Sequence, residues 1–156
     1  MSHYSVAVFH RNDHPDLEAI LAPYDEEVEP GSDYSEFVED DDCEVDEISG
    51  QRGFWANPGA KWDWWVIGGR FSGLLTLEDG RTVDSACLRD LTLDQNFETY
   101  AFITEDGKWH EPGQMGWFGV SGSTSETEEA YNKDFRRYLK LATQNKLWIT
   151  IVDCHI

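Results

Sequence analysis

No apolar run in the chain approaches the roughly 18 residues needed to span a bilayer. The start, Met1-Ser2-His3-Tyr4-Ser5, also lacks the charged and apolar regions of a secretory leader. Both absences point to a cytoplasmic protein with no membrane partner. Cysteine is scarce: Cys43, Cys87 and Cys154 are too few and too scattered for a disulfide framework, and none belongs to a Cys-x-x-Cys pair. They read as reduced thiols. Basic residues are the third shortage, with 12 Lys and Arg against 31 Asp and Glu and a formal net charge of -19. That balance excludes a protein that grips nucleic-acid phosphates directly over a broad face, and it disfavours anionic membranes. What is present suffices for one core. Apolar residues make up 40% of the 156 and aromatics 13%, which fits a single domain over residues 1–156.

The charge is segregated. Between Asn12 and Gly50 there are sixteen acids and no Lys or Arg, and thirteen of them fall in the twenty-three residues from Asp25 to Glu47. So many like charges repel and hold water, so residues from about 25 to 50 are expected to form an acidic surface loop or mobile segment. Tyr24, Tyr34 and Phe37 within it are available to pin it to the body or to a partner. One reading is a solubilising loop. Another is mimicry of a nucleic acid, in which Asp33, Glu36, Glu39, Asp40, Asp41, Asp42, Glu44, Asp46 and Glu47 imitate phosphates and occupy the groove of a basic nucleic-acid-binding protein. A calcium loop fails, because Asp40-Asp41-Asp42-Cys43-Glu44 lacks the Asp-x-Asp-x-Asp-Gly register.

Outside that stretch the chain reads as alternating elements. Tyr4 to His10 is a strand apolar on both faces, hence central. Asp13 and Pro15 open a short helix carrying Leu17, Ile20, Leu21 and Tyr24, limited by Pro23. Two hairpins follow, Leu74 to Val83 and Tyr100 to His110, each with an Asp-Gly pair suited to a two-residue type I′ turn; Glu78 then faces Arg81, and Glu105 faces Lys108. The Ser125-to-Glu128 capping box starts a helix from about Thr127 to Asn145, with Tyr131, Phe135, Tyr138, Leu139 and Ala142 on one stripe. Leu147 to Cys154 is the final strand. The order predicts an α+β fold: a mainly antiparallel sheet with two helices on one face, in a ferredoxin-like arrangement with inserted hairpins.

Phe54 to Gly73 is the most unusual composition. Trp62 and Trp64 alternate as on one strand face, ahead of Gly68, Gly69 and Arg70. An aromatic wall beside a close backbone turn and a guanidinium suits a planar ligand or nucleotide. The competing reading is that the Trp residues build core and the glycines form a turn. Neither phosphate-loop spacing is present. A second cluster, Gly113 to Gly119, contains Trp117, and the chain closes on Asp153-Cys154-His155. In these three places the chain resembles a group of short bacteriophage and bacterial proteins: the Asn-Pro-x-Ala-Lys-Trp-Asp-Trp-Trp-x-Ile-Gly-Gly-Arg run at Asn57 to Arg70, the Gly-x-Met-Gly-Trp-Phe-Gly run, and the Asp-Cys-His ending. The resemblance implies a phage or prophage setting and supplies no activity.

No catalytic triad assembles. His10 and His14 are separated by Asn12 and Asp13 with Pro15 just beyond, and the neighbours Cys154 and His155 point to opposite faces of a strand. Asp153 and His155 share a side, as a base with its orienting carboxylate or as metal ligands with His110. The composition favours a non-enzymatic accessory protein, without cofactor or resident metal, that inhibits a basic nucleic-acid-handling protein of a host defence system. The alternative is a ligand- or nucleotide-binding domain, with or without catalysis, whose pocket is lined by Trp62, Trp64, Gly68, Gly69, Arg70, Trp117 and His155.

Overall fold

A computed structural model describes residues 2–112 and 125–156. Trp117 and the Gly113-to-Gly119 cluster lie outside the described residues. In chain order the elements are β1 (His3–His10), α1 (Leu17–Leu21), β2 (Glu36–Glu39), β3 (Gly53–Ala56), β4 (Trp64–Ile67), β5 (Leu75–Thr76), β6 (Thr82–Val83), β7 (Ser85–Cys87), β8 (Ala101–Ile103), β9 (Trp109–His110), α2 (Ser125–Gln144) and β10 (Trp148–His155). The fold is α+β with a mainly antiparallel mixed sheet. Among the described residues no helix is long and apolar enough to cross a membrane. The chain divides into two compact units, Met1–Pro15 with Trp65–Ile156, and Asp16–Trp64.

The first unit is built on β1 and β10, which pair antiparallel from His3↔His155 to His10↔Trp148. β8 lies parallel on the other side of β1, with β9 beyond it, while β4 and β7 share the outer edge of β10. Both strands sit centrally, as their two-sided apolar character requires. The ferredoxin-like order does not form. In that arrangement the return strand of a hairpin runs antiparallel beside β1, whereas here its first strand, β8, lies there in parallel. The long chain between β1 and β8 makes a parallel return possible, since any crossover beyond about a dozen residues allows one.

α2 covers one face of this sheet. Tyr131, Phe135, Leu139 and Ala142 pack with Ala7, Phe9, Phe102, Ile149 and Ile151 in a single buried cluster. Its C-terminus closes on a Schellman motif: Leu147 N–H donates to the Ala142 carbonyl at 2.9 Å and Lys146 N–H to the Thr143 carbonyl at 3.1 Å, with Lys146 left-handed at φ 57°. That closure launches β10 directly. The other α-helix, α1, belongs to the Asp16–Trp64 unit, so α2 is the one α-helix of the sheet unit among the described residues.

Both Asp-Gly turns differ from expectation. Only the glycines, Gly80 and Gly107, have positive φ, so neither turn is type I′. In each, the glycine N–H donates to the carbonyl three residues back, Leu77 or Thr104, which gives a loop one residue longer. The shifted register brings Arg81 to Asp79 at 2.7 Å and Lys108 to Asp106 at 3.5 Å, while Glu105 pairs with Arg11 at 2.8 Å.

In the second unit, Asp16 rather than Asp13 caps α1, its carboxylate accepting from Ala19 N–H at 3.1 Å. Charge density predicts a loop between residues 25 and 50, yet β2 lies within it and pairs antiparallel with β3 just beyond it, from Glu36↔Ala56 to Glu39↔Gly53. Phe37 against Trp55, with ring centroids 5.5 Å apart, supplies the apolar contact that a solvated loop lacks.

One buried polar chain makes the sheet unit pH-sensitive. His10 bonds through Nδ1 to the Asn12 carbonyl at 2.6 Å and through Nε2 to the Thr150 hydroxyl at 2.7 Å, and Ser85 meets the same hydroxyl at 2.8 Å. Burial lowers the His10 pKa, and the Asn12 bond acts against it without outweighing it. The unfolded chain therefore binds a proton that the folded chain refuses. The resulting stability is complete above about pH 6.5, the unfolded value, and is lost as pH falls toward the folded one. Urea denaturation should show stability declining as pH falls below about 6.5, with a shallower decline in His10→Gln. Equal slopes in the two proteins would remove His10 as the cause.

Candidate functional site

The acidic residues singled out from sequence all lie in the Asp16–Trp64 unit. Asp33, Glu36, Glu39, Asp41, Asp42, Glu44 and Glu47 are exposed, and Asp40 and Asp46 half-exposed. Beyond β2 and β3 the hairpin continues through a Val45↔Arg52 bridge to a tip at Asp46 to Gln51. Two carboxylates help to hold that shape. Asp40 accepts from Asp42 N–H at 3.0 Å, and Asp46 from Ser49 N–H at 2.6 Å and Ile48 N–H at 3.1 Å. The Ser49 bond is the main reason the Asp46 pKa is lowered. Arg52, the base nearest in sequence, spends its guanidinium on the Cys43 carbonyl at 2.8 Å. Among the described residues no Lys, Arg or His forms an ion pair with the carboxylates from Glu26 to Glu47. Burial, with Asp40 and Asp42 alongside, pushes the Cys43 thiol up, which disfavours a thiolate.

The Trp-rich run is divided between the two units. Its first part is structural in the Asp16–Trp64 unit: Asn57 Nδ2 donates to the Pro23 and Asp25 carbonyls, both at 2.8 Å, and its Oδ1 accepts from Gly59 N–H. Trp62 is 8% exposed and donates from Nε1 to the Leu21 carbonyl at 3.1 Å, whereas Trp64, which opens β4, is 50% exposed. The two indoles therefore do not form one wall, because β4 begins only after Trp62.

The second part meets the chain's last residues in the sheet unit. Gly68 and Gly69 are both left-handed, and a Cβ on Gly69 would stand 2.4 Å from Asp153 Oδ2, one on Gly68 2.5 Å from Asp84 Oδ2. Each carboxylate grips the turn. Asp84 accepts from Gly73 N–H at 2.7 Å and Ser72 Oγ at 3.2 Å; Asp153 accepts from Arg70 N–H at 2.8 Å. The other oxygen of Asp153 takes His3 Nδ1, also at 2.8 Å, and the His155 ring lies edge-on to His3 with centroids 5.0 Å apart. Sequence reasoning paired Asp153 with His155 and missed His3. The antiparallel register of β1 and β10, which sets His3 against His155, is the signal that finds it. His110 does not join them: it stacks on Phe102 at 4.6 Å. Among the described residues no three His, Cys, Asp or Glu side chains are placed to hold a metal. Burial raises the Cys154 thiol and Tyr4 phenol pKa values, so neither is a ready nucleophile.

A groove of about 460 Å³ lies between α2 and the β8–β9 hairpin, lined by Phe102, Trp109, His110, Glu111, Tyr131 and Asp134 among others. Of the histidines considered above, His110 lines it; the acidic residues of the Asp16–Trp64 unit, Arg70, Asp153 and His155 do not.

The grip of Asp153 on the turn is testable by contrast. Gly69→Ala adds a Cβ against a buried carboxylate in a left-handed backbone and should cost ~2–4 kcal/mol; Gly80→Ala, with nothing within 4 Å, should cost only ~1 kcal/mol. Equal losses by urea denaturation would mean that the carboxylate does not fix the turn. Searches of family models, curated proteins and solved structures return no match to this chain.

Proposed function

We propose that the Asp16–Trp64 unit binds and blocks a basic nucleic-acid-handling protein, such as a component of a host defence complex, by presenting carboxylates where that protein receives phosphates. The reading is non-enzymatic. The observation that carries it is a folded hairpin whose carboxylates are exposed and, among the described residues from Glu26 to Glu47, without a cation of their own chain. Sixteen acids against Arg52 and Lys61 leave this unit at -14, far more than solubility needs.

Order is what separates this arrangement from a solvating tail. A disordered acidic segment loses conformational freedom on docking, whereas a hairpin fixed by Phe37–Trp55 and the Asp46 turn presents its charges with that cost already met by folding. Exposed Val38 and Phe54, adjacent across β2 and β3, add apolar surface beside Glu36. Nucleic-acid-binding grooves carry the complementary features, basic side chains and aromatic platforms. The phage setting implied by the resemblance is consistent with an inhibitor.

Binding should weaken steeply with salt, compete with duplex DNA or RNA for the partner, and be lost when Glu39, Asp40, Asp41, Asp42 and Glu44 are changed together to Asn or Gln. Single changes should have small effects, since an exposed charge contributes on the order of 1 kcal/mol or less. Fluorescence anisotropy of a labelled nucleic acid on the candidate partner reads the competition. A partner bound equally well by the fivefold variant, or bound together with its nucleic acid, would sink the mimicry reading.

A further inference from the structure

A second cleft, of about 200 Å³, opens farther along α2, between its Asp134-to-Leu141 stretch and the β8–β9 hairpin. Its lining is mostly apolar. Phe102 stacks with His110 at 4.6 Å and with Tyr138 at 5.6 Å between ring centroids, and exposed Leu141 completes the wall. An enclosed apolar cavity of about 150 Å³ takes up benzene. The volume here therefore suits one substituted ring, and walls of this composition favour an aromatic one through offset or edge-on contact.

Two charged side chains share the lining, Asp134 and Arg137, with Oδ1 and Nη1 4.0 Å apart. At 62% and 71% exposure each stays hydrated and the pair holds weakly, so the guanidinium is open to another carboxylate. The charge around it is positive. Lys133, Arg136, Arg137 and Lys140 lie three and four residues apart on the side of α2 opposite its buried stripe, and among the described residues Lys133, Arg136 and Lys140 form no ion pair. The turn of the neighbouring hairpin, whose Glu105 N–H donates to the Tyr138 hydroxyl at 2.9 Å, has its acids matched: Glu105 by Arg11 and Asp106 by Lys108. Four of the chain's 12 bases thus stand within eight residues of one helix, beside an apolar cleft.

We propose that this cleft binds a small monocyclic aromatic carboxylate, its ring held among Phe102, His110, Tyr138 and Leu141 and its charge held by Arg137. The sign of the ligand's charge can be read cleanly. A chain at -19 repels anions as a whole, so a preference for an acid over its neutral amide has to come from the cations of α2. The site is confined to the sheet unit, and its outcome leaves the reading of the acidic hairpin untouched.

Phenylacetate, phenylacetamide and acetate, each titrated into the full chain at constant ionic strength, test this through the NMR signals of the Leu141 methyls and the His110 ring. Phenylacetate should give saturable shifts at both residues and bind about tenfold or more tighter than phenylacetamide, whereas acetate should give none at equal concentration. Arg137→Gln should remove the preference for the acid, and Asp134→Asn should tighten phenylacetate binding severalfold by removing the competing carboxylate. Both residues are exposed, so the melting temperatures of the variants should stay close to that of the wild type. Opposite effects of these two substitutions separate a site that reads charge from a plain apolar patch. Shifts reproduced by acetate, equal affinities for the acid and the amide, or an acid preference that survives in Arg137→Gln would overturn the proposal, as would the absence of saturable shifts.

Discussion

The pairing of β1 with β10 is the constraint from which the sheet unit follows. Eight residues of each strand meet in one antiparallel register, and nearly all are buried. A slip by one residue would move Ala7, Phe9, Ile149 and Ile151 away from the face that α2 covers, so the hydrophobic pattern locks the register. Everything else is attached to this ribbon. β8 adds to β1, β4 and β7 divide the free edge of β10, and the Schellman closure of α2 feeds β10 into place. The same register brings residue 3 against residue 155, which is how a cluster of side chains arises from opposite ends of the chain.

A buried carboxylate, Asp153, and a half-buried one, Asp84, do the work at the end of that ribbon that apolar packing does at its middle. Asp84 and Asp153 accept main-chain N–H groups from the Gly68–Gly73 turn, and the positive φ of Gly68 and Gly69 lets the backbone come close enough for those bonds. A side chain at either position would collide with the carboxylate it faces. The glycine pair is therefore a packing requirement.

Charge is divided as sharply as structure. The Asp16–Trp64 unit holds sixteen acids and two bases, leaving fifteen acids and ten bases for the rest. Repulsion on that scale works against compactness. It is opposed locally by polar-to-backbone bonds of Asn57, Asp46 and Asp40, and by the aromatic contact of Phe37 with Trp55. Such bonds use carboxylates and amides as structural groups without neutralising them, so the unit folds while its charge remains available to a partner.

The two central strands, the α2 stripe and the α+β class were legible in the sequence because each rests on local periodicity. A run apolar on both faces belongs in the middle of a sheet, and a stripe at helical spacing must meet a core. Turn types were less legible: Asp-Gly supports two kinds of hairpin, and the φ of the aspartate, which depends on the strands around it, decides between them. The acidic stretch gave its charge but not its fold, because a few aromatic and side-chain-to-backbone contacts outweighed a composition that favours solvation. Trp62 and Trp64 were indistinguishable by type, and only the strand start at Trp64 separates a buried indole from a half-exposed one. Sequence named Arg70, Asp153 and His155 as residues of interest. That His3 completes them was decided by tertiary structure alone, since strand register is a long-range property that no local pattern near residue 3 encodes.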